Sequence, residues 1–371
     1  MKFLAFSIIL SLFFFPYADQ ESYLIVGTYD SPKSEGIYVY KFNSADGSIK
    51  EAGHIKTANP SFVTVSPNEK FIYAVYEIAS AGKGGEVAAF SFNKKNGELK
   101  FINQQLTGGD HPCYVEIDKT GKWVIVANYT SGSLSVLPVN TDGSLGVATT
   151  TIQHTGSGKN IERQKGPHVH CTVFSPDNKW LFATDLGIDK LIVYSFDDKI
   201  GKLTKTDSIT VESGGGPRHF TFHPSGKYAY LIDELSSFVH VLEWKKNKLF
   251  DMTFLPAIPP HYSGPAGSAD IHVSPDGKFL YISNRAESNT ITIFKIDQRT
   301  GLITMTGHNS TLGKTPRNFN FDPTGNFLLV ANQESDEVVI FKRNKQTGLL
   351  TDTGKRINVG KPVCLKWVKV E

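Results

Sequence analysis

A turn motif that recurs at nearly constant spacing constrains this chain more than any other feature. The stretch SPDGKFLYISN, which contains Pro275, combines a Pro/Asp/Gly turn with an apolar run, and five other segments share the pattern. The equivalent turn positions are Pro67, Lys119, Pro176, Pro224, Pro275 and Pro323. Successive positions lie 48 to 57 residues apart. Repeats with a period of about 40 to 50 residues indicate a β-propeller, in which each repeat forms one blade.

Each repeat contains the segments of a four-stranded sheet. A short apolar strand leads into the turn, a second strand such as FLYIS follows it, and a third such as TITIFKI and a fourth come after polar turns. No segment longer than a turn has a helical period. The sequence therefore predicts an all-β fold built from four-stranded antiparallel blades.

The two ends of the chain supply the parts of one further repeat. YLIVGTY, from Tyr23, matches FLLVANQ in the last repeat, and KPVCLKWV, from Lys361, matches TPRNFNFD. We therefore predict a seven-bladed β-propeller over residues 22–371, with the ring closed because the N- and C-terminal strands share one blade. A run of separate small domains is the alternative, but no linker-like stretch interrupts the spacing.

The first residues have the order of a secretory signal. Lys2 precedes an apolar run from Phe3 to Phe15, and the small residue Ala18 precedes polar sequence. The run is too short to span a bilayer. We predict a signal peptide over residues 1–18 and an exported protein, periplasmic or secreted, that is not bound to a membrane after cleavage. The alternative is a buried N-terminal strand.

Charge and cysteine content exclude several classes of function. The formal net charge is +3, and Lys and Arg fall mostly in turns, so we predict no nucleic-acid partner. The three cysteines, Cys113, Cys171 and Cys364, are too few for a disulfide scaffold, and we interpret them as core thiols. We predict no cofactor and no metal, although His168 and His170 in PHVH leave a metal site as an alternative.

Blades related by rotation place equivalent residues in rings around the central axis. The position six residues before each turn Pro starts the innermost strand, and its occupants are Ser61, Cys113, His170, Arg218, Ala269, Arg317 and Val363. The turn between the second and third strands holds Tyr29, Glu77, Tyr129, Leu186, Glu234, Arg285 and Gln333. Because consecutive strands run in opposite directions, both rings are predicted to line one mouth of the channel.

The predicted mouth collects charged side chains that suit a small anionic or hydroxylated ligand. Guanidinium groups match carboxylate or phosphate, and acids bind hydroxyls or act as bases. The residues assigned to catalysis are His170, Arg218, Glu234 and Arg285. The residues assigned to substrate binding are Glu77, Arg317, His168, His219 and Gln333. The alternative is that these charges pair with one another across a wet channel.

This set of residues fits lactone hydrolysis. His170 or Glu234 would deprotonate a water, and Arg218 and Arg285 would stabilise the oxyanion. No G-x-S-x-G segment occurs, so direct attack by water is expected rather than an acyl-enzyme. Positions two and four residues before the turn Pro are mostly apolar, and from them we expect polar side chains to be confined to the mouth.

Four segments resemble a known family. GPHVHCTVFSPDNKWLFATD, GGPRHFTFHPSGKYAYLIDEL, ADIHVSPDGKFLYISNR and TPRNFNFDPTGNFLLVANQ resemble the seven-bladed propeller lactonases, which include bacterial 6-phosphogluconolactonases and the fungal carboxy-cis,cis-muconate lactonizing enzyme. The resemblance extends from about Tyr23 to the end of the chain. It implies a carboxylic-ester hydrolase whose active-site His, Arg, Glu and second Arg fall on His170, Arg218, Glu234 and Arg285, and Arg317 also matches the family.

The resemblance leaves the reaction and the substrate open. A periplasmic sugar lactone or a related cyclic ester fits both an exported chain and the family. The alternatives are a muconate-type lactonizing cycloisomerase, which would run the chemistry in reverse, and a non-catalytic propeller that binds a ligand or a partner protein. We expect a monomer or a weak homo-oligomer.

Overall fold

The computed structural model describes residues 21–79 and 84–371, and the predicted signal peptide, residues 1–18, lies outside them. The described residues form seven antiparallel sheets of four strands each, and every sheet is one blade. Blade 1 comprises β1 (Glu21–Thr28), β2 (Gly36–Asn43), β3 (Ser48–Lys56) and, as its innermost strand, β28 (Pro362–Lys369). The predicted all-β, seven-bladed fold is confirmed.

The other six blades follow in chain order, each running from its innermost to its outermost strand. Blade 2 comprises β4 (Val63–Val65), β5 (Phe71–Tyr76), β6 (Glu86–Asn93) and β7 (Glu98–Leu106). Blade 3 comprises β8 (Pro112–Ile117), β9 (Trp123–Asn128), β10 (Ser133–Pro138) and β11 (Thr150–Gln153). Blade 4 comprises β12 (Val169–Phe174), β13 (Trp180–Asp185), β14 (Lys190–Asp197) and β15 (Lys202–Thr210).

Blade 5 comprises β16 (Pro217–Phe222), β17 (Tyr228–Asp233), β18 (Phe238–Lys245) and β19 (Lys248–Pro256). Blade 6 comprises β20 (Ser268–Val273), β21 (Phe279–Asn284), β22 (Thr290–Ile296) and β23 (Ile303–Ser310). Blade 7 comprises β24 (Pro316–Phe321), β25 (Phe327–Asn332), β26 (Glu337–Arg343) and β27 (Leu350–Asn358). Two 3-10 turns, Leu186–Ile188 and Gln333–Ser335, are the only helical segments that the structure describes.

The ring is closed by the two ends of the chain. β1 pairs with β28 in antiparallel register, with Tyr23 opposite Val368 and Val26 opposite Leu365. Each innermost strand contacts the innermost strand of the next blade, and the series returns from β28 to β4. The innermost strands therefore form a continuous ring. The shared blade predicted from YLIVGTY and KPVCLKWV is confirmed.

The apolar core lies between neighbouring blades. The second strand of a blade is covered on both faces, so that every residue of β21 is buried. The outer hairpins add contacts between blades. Gly301 has a φ of +73°, and a Cβ at this position would lie 2.3 Å from the ring of Tyr228 in the preceding blade. The Tyr228 hydroxyl donates to the Arg299 carbonyl oxygen at 2.6 Å. Gly301→Ala would therefore separate blades 5 and 6 at this point.

Cys113, Cys171 and Cys364 are buried and free, as expected of core thiols. Within residues 21–79 and 84–371 no helix is long and apolar enough to cross a membrane.

Candidate active site

A β-bulge near the start of an innermost strand re-aims a residue of the first predicted ring. In β12 the pairing with β13 skips from Val169 to Cys171, and His170 is the extra residue. The same skip leaves Arg218 unpaired in β16 and Arg317 unpaired in β24. A bulged residue leaves the strand's alternation and re-aims its side chain. Of these three bulge residues, His170 and Arg317 face the opening, whereas Arg218 is buried.

A backbone hydrogen bond in every blade ties the second predicted ring to the first. The residue after the second strand donates its N–H to the carbonyl oxygen two residues before the bulge position. In blade 5 this is Glu234 to Gly216, at 2.7 Å, and in blade 6 it is Arg285 to Gly267, at 3.0 Å. The equivalent donors in the other blades are Tyr29, Glu77, Tyr129, Leu186 and Gln333. Both rings therefore lie at one mouth, as the alternation of strand direction predicted.

A cavity of about 350 Å³ occupies this mouth. The residues that line it are Tyr29, Glu77, Cys113, Tyr129, Arg163, His170, Glu234, Arg285 and Arg317. It brings together three residues that were assigned to catalysis from the sequence, namely His170, Glu234 and Arg285. It also includes Glu77 and Arg317, which were assigned to substrate binding. Its size suits a single sugar-sized ligand.

Glu234 is held by three arginines. Its Oε2 accepts from Arg218 Nε at 2.9 Å and lies 2.8 Å from Arg285 Nη2, and its Oε1 accepts from Arg163 Nη2 at 2.7 Å. Burial alone would raise the pKa of this carboxyl group, but Arg285, Arg218 and Arg163 outweigh burial and hold the pKa well below its usual range. Glu234 is therefore ionised and fully engaged, which makes it a weak proton acceptor.

Arg218 lies behind Glu234 and does not line the cavity. Its side chain is the largest fully buried one described, and its Nη1 donates to the Ala269 carbonyl oxygen at 2.7 Å. Burial, together with Arg285 and Arg317, lowers its pKa to about 10, so the guanidinium remains charged at neutral pH. Arg218 and Glu234 are 16 residues apart in the chain and are joined by their hydrogen bond, but only Glu234 lines the cavity.

His170 is the buried, neutral group of the cavity. Burial, followed by the charge of Arg218, lowers its pKa well below the usual range. Its ring contacts Tyr129 edge-on, at 5.4 Å between centroids, and its Nδ1 lies 3.9 Å from the Cys113 Sγ. No hydrogen bond to its Nε2 occurs among the described residues. A neutral imidazole that lines a cavity in this way can accept a proton from a bound water.

The opposite side of the cavity presents an acid and a cation. Tyr29 donates its hydroxyl to Glu77 Oε2 at 2.9 Å, and its ring lies under the guanidinium of Arg317, 5.2 Å from the centroid. Arg317 makes no ion pair with any residue that the structure describes. Since arginine side chains present fork-shaped donors, this one is available to an anionic or carbonyl oxygen of a ligand.

Three of the predicted substrate-binding residues do not line the cavity. His168 stacks on Tyr129, at 4.5 Å between centroids, and its Nδ1 lies 2.9 Å from the Tyr129 carbonyl oxygen. Gln333 begins a 3-10 turn, and its amide donates to Glu334 on the protein surface. His219 follows the bulge in β16, and its Nδ1 lies 2.7 Å from Asp270 Oδ1. His168 therefore supports a wall of the cavity, whereas Gln333 and His219 face away from the cavity.

The expectation that polar side chains are confined to the mouth is wrong. Below the mouth, buried Asp270 accepts from His219 and Asn318 and lies 2.9 Å from His272 Nε2. Asn318 Oδ1 in turn accepts from the Leu365 backbone N–H at 2.8 Å. These side chains come from the positions that alternate with the apolar ones. They face the channel axis and link the innermost strands of blades 5, 6, 7 and 1.

Arg163 is absent from the residues predicted from the sequence. It lies outside the repeats, in the connection between β11 and β12, where repeat equivalence assigns no position. The one signal in the sequence was the spacing of 57 residues between Lys119 and Pro176, the longest between successive turns. Tyr29, Tyr129 and Cys113 were placed in the two rings but were given no role. Within the part of the chain that the structure describes, no group of three or more His, Cys, Asp or Glu is arranged to hold a metal.

The fold and the site together define the class of protein. Residues 23–367 match the model of the family described as "Lactonase, 7-bladed beta-propeller", and the chain belongs to this family. Among its relatives, the chain is 39% identical over 312 residues to the 6-phosphogluconolactonase of Bacillus subtilis. The match covers 83% of this chain and 87% of that protein.

Solved structures agree with this assignment. A crystal structure from Bacteroides fragilis superimposes with a TM-score of 0.90 at 40% identity, and covers 95% of this chain and 99% of that one. The periplasmic gluconolactonase of Pseudomonas aeruginosa superimposes with a TM-score of 0.89 at 36% identity, and covers 95% of this chain and 100% of that one. The similarity therefore extends over the complete ring.

Proposed function

We propose that this protein hydrolyses a sugar lactone, by the attack of water rather than through an acyl-enzyme. The observation that carries the proposal is the cavity at the mouth, where the neutral imidazole of His170 lies beside the arginine-bound carboxylate of Glu234. Membership of the lactonase family and the names of the relatives support the same reaction. The chain is accordingly a carboxylic-ester hydrolase.

In the proposed first step His170 accepts a proton from a water, and the water oxygen attacks the lactone carbonyl carbon. The electron pair of the C=O bond moves to the carbonyl oxygen and gives a tetrahedral oxyanion. Arg285, which lines the cavity, and Arg317 are the guanidinium groups that can stabilise this charge. When the ring C–O bond breaks, the protonated His170 returns its proton to the departing hydroxyl oxygen, and the product is the open-chain acid.

Glu234 and Arg218 act on this reaction indirectly. The negative charge of Glu234 favours the imidazolium form that His170 adopts during the reaction, as an acidic partner does in other His-dependent sites. Arg218 acts through Glu234, because its guanidinium is buried behind the carboxylate. We therefore give the base role to His170 and treat Arg218 as a positioning residue.

The charge of the mouth suggests the class of substrate. Arg163, Arg218, Arg285 and Arg317 face two carboxylates, which leaves a net charge of +2 while His170 is neutral. A positive cavity attracts anionic ligands and raises their rate of association. Glu77 shares one oxygen with Tyr29 and can accept a sugar hydroxyl. We therefore propose a polyhydroxylated δ-lactone, with or without an acidic substituent.

We also propose that the protein acts after export. Lys2, the apolar run and Ala18 support this location, and one of the similar structures is that of a periplasmic gluconolactonase. Expression of the full chain with a C-terminal tag, followed by cell fractionation, tests the proposal. Recovery of a shortened protein outside the cytoplasm is expected, whereas a full-length protein confined to the cytoplasm would contradict it.

The activity is tested by measuring acid release from glucono-δ-lactone and from its 6-phosphate at pH 7, corrected for spontaneous opening. The purified protein is expected to open at least one of them above background. His170→Ala should lower kcat/KM by about 10²- to 10⁴-fold, the usual contribution of a general base. The matched control is His308→Ala, since His308 is exposed on the outer strand β23. Binding of a sugar acid without turnover of any lactone would instead indicate a non-catalytic propeller.

A further inference from the structure

The connection that carries Arg163 is longer than any other link between consecutive blades. It spans residues 154–168, between the outermost strand of blade 3 and the innermost strand of blade 4, and we refer to it as the Arg163 loop. The other blades reach their neighbours through shorter turns. An additional segment at the mouth of the channel is therefore specific to this position in the ring.

Buried hydrogen bonds hold the start of the Arg163 loop. His154 is buried, with its Nδ1 2.7 Å from Asp185 Oδ2 and its Nε2 2.7 Å from the Tyr194 hydroxyl. Both partners belong to blade 4, and Asp185 also accepts from the His168 backbone N–H at the far end of the loop. The loop is thus fastened to one blade at both of its ends.

A second anchor lies directly beside Arg163. Gln164 is fully buried, and its Nε2 donates to the Leu186 carbonyl oxygen at 2.8 Å and to Asp189 Oδ1 at 2.5 Å. Its Oε1 accepts from the Asn160 backbone N–H at 2.9 Å. A residue held in this way fixes the direction of its neighbour, so Arg163 is presented to the cavity by a preorganised loop.

Arg163 is the exchangeable partner of Glu234. Its side chain is 43% exposed, whereas those of Arg285 and Arg218 are 16% and 2% exposed. A half-exposed ion pair contributes little to stability, and Glu234 keeps the buried Arg218 and the partly buried Arg285 if Arg163 leaves. Only Nη2 of Arg163 has partners among the described residues, namely Glu234 and the Tyr129 hydroxyl. Its Nε and Nη1 remain available to an incoming anion.

We propose that Arg163 is a specificity-determining residue, which binds the acidic substituent of a charged lactone at the solvent rim of the cavity. The proposal rests on the proposed lactonase function and adds the residue that separates charged from neutral substrates. The acidic group replaces Glu234 as the partner of Arg163, while Arg218 and Arg285 stay on Glu234. The lactone ring then lies deeper, towards His170.

The test compares kcat and KM for glucono-δ-lactone and for its 6-phosphate in Arg163→Gln and Arg163→Lys. For Arg163→Gln we expect KM for the phosphorylated lactone to rise about 10-fold or more, with its kcat and the KM for the neutral lactone changed by less than about 3-fold. Arg163→Lys should recover only part of the loss, since the fork geometry is missing. An equal loss of kcat on both lactones would mean that Arg163 merely positions Glu234 and would overturn the proposal, as would unchanged constants.

Two further variants separate recognition from folding. Gln164→Ala removes the anchor without touching the cavity and should raise KM for the phosphorylated lactone selectively. An unchanged KM in this variant would contradict preorganisation of the Arg163 loop. Arg356→Ala, an arginine paired with Asp352 on the outer strand β27, is the matched control and should leave both KM values unchanged. Thermal unfolding of each variant shows whether it is folded.

A binding measurement keeps the proposal testable if no lactone is opened. Titration of 6-phosphogluconate into the wild-type protein and into Arg163→Gln reports on the rim without any reaction. Weaker binding by at least about 10-fold in the variant supports the role of Arg163, even if the lactonase proposal has failed. Equal binding by the two proteins overturns the role of Arg163, whatever the activity.

Discussion

At the scale of single residues, the site depends on two buried groups that respond to burial in opposite ways. Loss of solvent favours the neutral form of both an imidazole and a carboxyl group. In Glu234 three guanidiniums reverse this preference, whereas for His170 the charge of Arg218 adds to it. At neutral pH the result is an ionised carboxylate beside a neutral imidazole. Arg218 therefore serves both groups, although it does not line the cavity.

This arrangement predicts the pH dependence of activity. A general base works in its deprotonated form, which for His170 persists above a pKa held well below 6.5. We expect kcat/KM, corrected for spontaneous hydrolysis, to stay level between about pH 6 and pH 8 and to fall only at more acid pH. Stopped-flow or pH-indicator assays across this range check the prediction. A midpoint of the activity loss at or above pH 6.5 would contradict a His170 base whose pKa is lowered by burial and by Arg218.

The buried pair of Arg218 and Glu234 predicts a stability effect. In Glu234→Gln, Arg218 would keep its buried charge without an anion at Nε, and unfolding should become easier by about 3 to 5 kcal/mol. Urea denaturation measures the change. The control is Glu69→Gln, whose pair with Lys94 is partly exposed and should contribute at most about 1 kcal/mol. Similar losses in the two variants would contradict the account of Glu234.

At the scale of strands and turns, regular repetition explains what was predictable. Equivalent positions in the repeats predicted the ring residues His170 and Arg218, which lie at the bulges, and the turn residues Glu234 and Arg285. The bulge itself was not visible in the sequence. Because it shifts the alternation by one residue, His219 faces the channel and Asp270 rather than the cavity.

Departures from repetition explain the remaining differences. Gln333 aligns with Glu234 and Arg285, but it begins a 3-10 turn and its side-chain amide donates to Glu334 at the surface. Arg163 belongs to an insertion, and nothing in the other repeats indicates where an inserted side chain points. Such positions depend on tertiary anchors, such as buried Gln164, which a sequence pattern does not encode.

A buried histidine between strands predicts how stability changes with pH. His240, in β18, lies 3.1 Å from Asp233, 3.6 Å from Asp251 and 3.7 Å from Glu212. Burial alone would lower the pKa of His240, but Asp233 and Asp251 outweigh burial and raise the pKa to about 9. Protonated His240 should therefore stabilise the folded protein. This stabilisation should be complete below about pH 6.5, the pKa of histidine in the unfolded chain, and lost as pH rises through about 9.

The measurement compares wild type with His240→Gln in urea denaturation from pH 6 to pH 9.5. The free energy of unfolding of the wild type should exceed that of the variant by at most about 3 kcal/mol at pH 6, because burial also raises the pKa of Asp233. This difference in free energy should vanish near pH 9.5. His308→Gln, on an exposed strand, should show no such trend. A difference that is constant with pH would mean that His240 is neutral in the folded protein.

At the scale of the whole molecule, closure of the ring is what makes one site from seven blades. The cavity takes residues from blades 1 to 7 and from the Arg163 loop, so it exists only when the ring is complete. β28 supplies the innermost strand of blade 1 and contacts both β4 and β24. The last strand therefore supports residues that are more than 300 positions away, such as Val63, whose N–H donates to the Cys364 Sγ at 3.4 Å.

Removal of residues 362–371 should open the ring. β1 would lose its hydrogen-bonding partner, and β4 and β24 would lose the strand that packs between them, so we expect loss of the cooperative thermal transition and a tendency to aggregate. Circular dichroism melting and size-exclusion chromatography check this. The control is a chain shortened only by Glu371, which follows the end of β28. A cooperative melt of the truncated protein near the wild-type temperature would contradict the role given to closure.

The central claim is that the lactone is opened in the cavity at the channel mouth. A crystal structure with the δ-lactam analogue of gluconolactone, which keeps the ring and carbonyl but resists hydrolysis, tests this most directly. We predict the analogue between His170 and Arg285, with its carbonyl oxygen within about 3 Å of a guanidinium nitrogen. Binding at the outer blades or at the opposite face of the ring, with this cavity empty, would contradict the account.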